Sequence, residues 1–157
     1  MLTSLLKKRQ FFIGDLVLVD KELILKKLSE IEEHLQELEE FKDISIDDYR
    51  NDWKIQRIVE RTLQILIEIC IDVANHIISD EKWRVPSSYS ETFKILYENR
   101  VIDDELFKNL EKMAKFRNII VHNYDKISPE VMVNILKKDL IDFLRFKDSI
   151  ITWIRNK

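Results

Sequence analysis

Trp53-Lys-Ile-Gln-Arg-Ile-Val-Glu60-Arg-Thr-Leu-Gln-Ile-Leu-Ile-Glu-Ile-Cys70-Ile-Asp72-Val-Ala-Asn75-His76-Ile-Ile-Ser79 decides how this chain folds. Ile55, Ile58, Val59, Leu66, Ile69, Cys70, Val73 and Ile77 recur at the spacing of one helix face. Ile65, Ile67 and Ile71 widen that stripe well past the face a surface helix buries. The expectation is a central helix, covered on several sides. Asp72, Asn75 and His76 interrupt the apolar run, and buried polar groups must find partners. Two readings stay open for them. They tie neighbouring helices together, or they orient a functional site from behind.

The composition agrees with a helical core. Of 157 residues, 45% are apolar and 35% charged, which suits one globular domain and excludes a disordered chain. One Gly and two Pro are too few for a turn-rich β fold. The fold class expected is all-α, an antiparallel bundle of about five helices. The single Cys70 excludes an internal disulfide and a cysteine-based zinc cluster. A reducing, cytoplasmic location follows most simply. The net charge of −3 argues against binding nucleic acid through overall charge. Its distribution is uneven: Glu22–Glu60 holds twelve acids and six bases, and Lys108–Lys126 five bases and two acids. The second segment can draw a phosphate chain to one place on an acidic body. Taken alone, Lys108, Lys112 and Lys115 read as a solvated helix face.

Outward from the central helix, residues 1–19 stand apart. Lys7-Lys8-Arg9 precedes a short apolar run that Asp15 interrupts, and no small-residue cleavage site follows, so a signal peptide is not expected. The segment reads as a tail or a short edge strand, an extension to a helical domain of residues 20–157. Asp20 can cap a helix carrying Leu23, Leu28, Ile31, Leu35 and Leu38, with His34 on its surface. A charged connector, Lys42 to Asp52, leads to the central helix. Beyond the loop at Val85-Pro86, Ser90 can cap a short helix that Asn99-Arg100 ends. Asp103 caps the next, which bears Leu106, Leu110, Met113 and Phe116. Asn123 is a left-handed terminator there, and Ser128-Pro129-Glu130 restarts the chain. The last helix carries Val131, Leu136, Leu140, Leu144, Ile151 and Trp153. No stretch after the first segment reads as long and apolar enough to span a membrane.

The chemistry gathers at the end of the helix that Asp103 starts. Arg117, Asn118, His122 and Tyr124 bring a cation, an amide, an imidazole and a phenol together. Asn118 and His122 share a helix face. Arg117 and His122 lie about 140° apart around the axis, so they converge if the arginine swings round or a second copy supplies the missing half. Ile119, Ile120 and Val121 are expected to anchor this segment in the core. The three histidines have no ligand-type spacing, no Gly-rich phosphate loop is present, and no metal or cofactor is expected. An imidazole moves protons near neutral pH and a guanidinium grips phosphate oxygens. Together they suit cleavage of RNA, whose 2′-hydroxyl can attack the adjacent phosphorus, with His122 moving the proton and Arg117 stabilising the transition state. A helix-end Arg and His making only caps and salt bridges is the plainer reading of such spacing.

Arg117-Asn-Ile-Ile-Val-His122-Asn-Tyr124 has the form R-x4-H-x-Y. It resembles the HEPN superfamily and, within it, the HepT-like toxins of toxin–antitoxin pairs. The central helix and the run from Ser90 to Leu106 are similar to the same family over roughly Asp20 to Lys157. The resemblance implies an all-α homodimer whose paired motifs face a shared cleft, metal-independent endoribonuclease activity, and a minimal nucleotidyltransferase as the antitoxin. By match, Arg117 and His122 are its catalytic residues and Tyr124 the residue adenylylated by that partner. Asn118, Asp72 and Asn75 are expected to support the site. The competing expectation is a non-catalytic helical module that binds and regulates such a nucleotidyltransferase.

Overall fold

The computed structural model describes the backbone of residues 2–157 and the side chains of residues 21–157 other than Tyr124. Among these residues seven α-helices follow one another and no strand occurs: α1 (Leu2–Glu39), α2 (Ile46–Asn51), α3 (Trp53–Asp80), α4 (Tyr89–Glu98), α5 (Asp104–His122), α6 (Pro129–Asn134) and α7 (Ile141–Arg155). A 3-10 turn, Tyr124–Lys126, follows α5, and a π turn, Ile135–Asp139, joins α6 to α7.

Helix α3 is the centre. Leu63, Leu66, Cys70, Val73 and Ala74 are fully buried on it, and α1, α2, α4, α5 and α7 all pack against it. Each fully buried Leu or Ile contributes roughly 1.5–3 kcal/mol, so covering this one helix dominates the apolar gain. Its length and composition would also suit a membrane span, with a mean hydropathy of 1.4 over an 18-residue window. The sequence reading, which found no such stretch, is corrected on this point. The cause is its central position: 61% of that window is buried by other helices, so solvent meets little of it.

Several helix starts follow local chemistry. Asp103 Oδ1 accepts from the Leu106 N–H at 2.8 Å, and Asp52 Oδ1 from those of Lys54 and Ile55. Ser128 caps α6, with Pro129 at its first position. Each cap satisfies an amide that the first turn leaves without a partner. Helix α4 is capped by Ser88, not Ser90, its hydroxyl accepting from the Glu91 N–H at 3.1 Å.

Other expectations are corrected. The N-terminal segment is no edge strand: α1 runs from Leu2, so no cap at Asp20 starts it, and the side chains of residues 1–20 lie outside the described residues. The charged connector holds α2, because Ser45 caps it and Tyr49 is buried beneath it. Asn123 is not left-handed: its φ of −140° and ψ of 43° lead directly into the 3-10 turn. The last helix is broken by the π turn, which inserts one residue into the helical repeat. Counting in fours from Leu136 therefore slides off the core. Val131 is exposed, and Met132, Phe143, Phe146 and Ile150 are the residues fully buried. With α2 and this break, the expected five helices become seven.

Phe146 joins α7 to the far side of the core. Its ring meets Phe93 of α4 edge-on, with centroids 6.2 Å apart and planes at 83°. Phe146→Ala is expected to cost about 3–5 kcal/mol, read as a lower urea midpoint by circular dichroism with the slope unchanged.

Candidate active site

Arg117 lies on α5 one turn and a half before its end, and its side chain is only 16% exposed. It reaches across to α3. Its Nε and Nη2 both donate to Glu68 Oε1, at 3.1 and 2.8 Å. Gln64, one turn earlier on α3, donates to the same oxygen at 3.0 Å. The Tyr89 ring at the start of α4 lies beneath the guanidinium, with Cζ 5.0 Å from the ring centroid. Three helices thus hold one cation through an ion pair and a cation–π contact. Nη1 is left toward Asn118, whose Oδ1 is 3.4 Å away. Burial alone would raise the Glu68 carboxyl. The hydrogen bonds from Gln64 and Arg117 and the charges of Arg117 and Arg61 outweigh it, and its pKa lies below the ordinary value. Glu68 is therefore ionised at neutral pH.

Sequence reading missed Glu68. The available signal was a lone acid inside Ile65-Leu-Ile-Glu68-Ile-Cys70, the most apolar part of α3. A carboxylate there needs a cation, but which one is decided 49 positions further along the chain.

His122 is the last residue of α5 and is exposed. Its ring makes no hydrogen bond or ion pair with the described residues, so a substrate proton can reach it. Arg117 and His122 do not touch each other: one side chain turns inward to α3 and the other faces solvent, as the angle between them around the axis requires. The expectation that Ile119, Ile120 and Val121 all anchor the core is corrected. Only Ile120 is buried, at 7%, while Ile119 and Val121 are 39% and 37% exposed. Consecutive helix positions point about 100° apart, and α5 is covered on only one side at its end.

The supporting residues divide. Asn118 and Asn75 line one cavity, together with Tyr89 and Thr92. Asp72 instead pairs with Lys27 of α1 at 3.4 Å and so joins helices. The side chain of Tyr124 lies outside the described residues; its backbone opens the 3-10 turn. The basic face of α5 is largely neutralised along the helix, Lys108 by Asp104 at 2.8 Å and Lys115 by Glu111 at 3.7 Å. No group of three or more His, Cys, Asp or Glu side chains suited to a metal ion occurs among the described residues.

Known proteins share this architecture. The mRNA nuclease HepT of Shewanella oneidensis is 32% identical over 130 residues, covering 82% of this chain and 96% of that protein. The tRNA nuclease HepT of Aphanizomenon flos-aquae is 33% identical over 111 residues, covering 71% of this chain and 76% of that one. The solved structure of a tri-AMPylated Shewanella oneidensis HEPN toxin in complex with its MNT antitoxin superimposes with a TM-score of 0.76 at 31% identity, covering 82% of this chain and 96% of that toxin. The family model for ribonuclease HepT-like proteins matches residues 31–150, and the chain belongs to that ribonuclease family.

Proposed function

We propose that this chain is the toxin of a toxin–antitoxin pair, an endoribonuclease that cuts RNA without a metal ion and is silenced when a cognate minimal nucleotidyltransferase adenylylates Tyr124. The observation that carries the reading is the contrast within one helix end. Arg117 is fixed by Glu68 and Tyr89, while His122 is exposed and has no hydrogen-bond or ion-pair partner among the described residues. A fixed cation beside an accessible proton carrier is what an attack by the RNA 2′-hydroxyl needs. His122 takes the 2′-hydroxyl proton as that oxygen bonds to phosphorus. The bond from phosphorus to the 5′-oxygen breaks, and the departing oxygen takes a proton from a protonated imidazole. The products are a 2′,3′-cyclic phosphate and a free 5′-hydroxyl. Arg117 Nη1, not engaged by Glu68, meets the phosphorane oxygens.

A homodimer supplies the second imidazole. Ile119 and Val121 flank His122 and stand in solvent, an apolar rim that suits a second copy around a twofold axis. Residues 20–157 then form the HEPN-like domain, with 1–19 its extension, in the cytoplasm. The two relatives carry the names of different RNA classes, mRNA and tRNA, so the RNA target is not carried over. A non-catalytic module regulating a nucleotidyltransferase has no evident use for a fixed arginine beside a free imidazole.

His122→Ala and Arg117→Ala should each lower RNA cleavage at least about 100-fold. The His122 variant should melt with the wild type, because its exposed ring makes no hydrogen bond or ion pair with the described residues. Cleavage should persist in EDTA; a variant cutting as fast as wild type removes the assigned roles. In sedimentation the wild type should be a dimer at micromolar concentration. Ile119→Glu, which charges the rim, should shift it to monomer and reduce activity with it. Incubation with the cognate nucleotidyltransferase and ATP should add AMP to Tyr124, seen by peptide mass, and stop cleavage. Tyr124→Phe should escape both, and continued silencing of the Phe variant would mean that complex formation alone inhibits.

A further inference from the structure

Beside Arg117 lies a cavity of about 390 Å³, lined by Asn75 of α3, Ser87, Ser88, Tyr89 and Thr92 at the start of α4, and Asn118 of α5. It is at the small end of ligand sites. Pro86 completes the lining, which is unusual for this protein: apart from that ring it is amides, hydroxyls and one aromatic ring, with no charged side chain among them. Helix starts often take phosphate, but this one is closed to an anion. Ser88 caps α4, and the Glu91 carboxylate accepts from the Ser87 N–H at 2.6 Å and from the Ser87 hydroxyl. These two bonds and Arg84 hold the Glu91 pKa down at about 2, so it remains a fixed negative charge at this rim. Arg117, at the opposite rim on Tyr89, is the cation. A phosphate therefore goes to Arg117, and the cavity beyond takes a neutral, polar group.

The amides in the cavity have hydrogen bonds to spare. Thr92 has one hydroxyl proton and two acceptors, the Ser88 carbonyl at 3.1 Å and Asn75 Oδ1 at 3.4 Å. The nearer carbonyl claims it, which leaves Asn75 able to donate and accept. Among the described residues Asn118 accepts from Arg117 Nη1 and donates to none, so its amide N–H groups are also available. A planar ring with donors and acceptors on its edge, attached to a phosphate, meets all these demands. Aromatic side chains and amide edges are how proteins hold unstacked RNA bases.

We propose that this cavity is a nucleobase subsite, in which Asn75 and Asn118 read the edge of the base next to the scissile phosphate and Tyr89 packs against its face. The assignment rests on the reading of Arg117 as the phosphate-binding group, and it makes the cut depend on base identity at one position.

The test separates the two ideas by reading binding without cleavage. The full-length His122→Ala protein is titrated with a short single-stranded RNA and with the same RNA carrying one abasic residue, moved along the strand position by position. Loss of the base at one position should weaken binding about tenfold, and loss elsewhere should matter much less. In the Asn75→Ala/His122→Ala protein that special position should disappear, with affinity for the abasic RNA unchanged. An unchanged affinity for abasic RNA also certifies that this variant is folded. Equal sensitivity at all positions, or a special position that survives the Asn75 substitution, overturns the subsite. If wild-type protein never cuts RNA but the base-sensitive position is present, the ribonuclease reading fails and the subsite stands.

Discussion

Helix α3 has a broad face that cannot meet water. Leu63, Leu66, Cys70, Val73, Ala74 and Ile77 form a buried stripe along it, with Ile67, Ile71 and Ile78 buried beside them, and five other helices share the work of covering it. That constraint sets where everything else lies. It draws α1 and α7 to one another, where Lys147 pairs with Glu32, and it holds α4 and α5 side by side. Arg117 sits on α5 and reaches across to α3, so its environment follows from the burial of a helix on which none of the motif residues lies.

The ion pair between Glu68 and Arg117 is a strongly polar link across that packing, between α3 and α5. A charged pair partly out of water gains little net stability, because desolvation offsets much of the attraction. Its consequence is geometric. Both bonds come from the Nε and Nη2 side of the guanidinium to a single oxygen, so the fork is held in one orientation with Nη1 outward. Tyr89 fixes the plane of the same group from below. A preorganised cation is stabilising where charge develops because it need not reorient during the reaction. The end of α5 differs. It is covered on one side only, its apolar Ile119 and Val121 face outward, and His122 has no hydrogen-bond or ion-pair partner among the described residues. Rigidity and access are thus divided between the two ends of a five-residue interval.

Much of this was legible from residues alone. The width of the apolar stripe in Trp53–Ser79 marked a central helix, since Ile67, Ile69, Cys70 and Ile71 spread apolar surface over more than one helix face and all are buried. Asp103 and Ser128 announced two helix starts, because capping is a bond between a side chain and amides two or three residues away. Arg117 and His122 were visible as chemistry, and their angular separation was visible as geometry, because a helix has a fixed turn per residue.

What only the tertiary structure decided has a common physical reason: it depends on partners far away in the chain. Nothing local links Glu68 to Arg117, Tyr89 to the same guanidinium, or Asn75 to the cavity it shares with Asn118. The π turn at Ile135–Asp139 has neither Pro nor Gly to announce it. It exists because Met132 before it, Leu136 within it and Phe143 and Phe146 after it must all reach one core. Ile119 and Val121 look like core residues in the sequence and stand in solvent, because hydrophobicity states a preference while the neighbouring helices determine which side of α5 is covered. The sequence by itself determined the class of fold and brought Arg117 and His122 forward as candidates; the packing around α3 decided which groups hold Arg117 and which side of the helix end stays open.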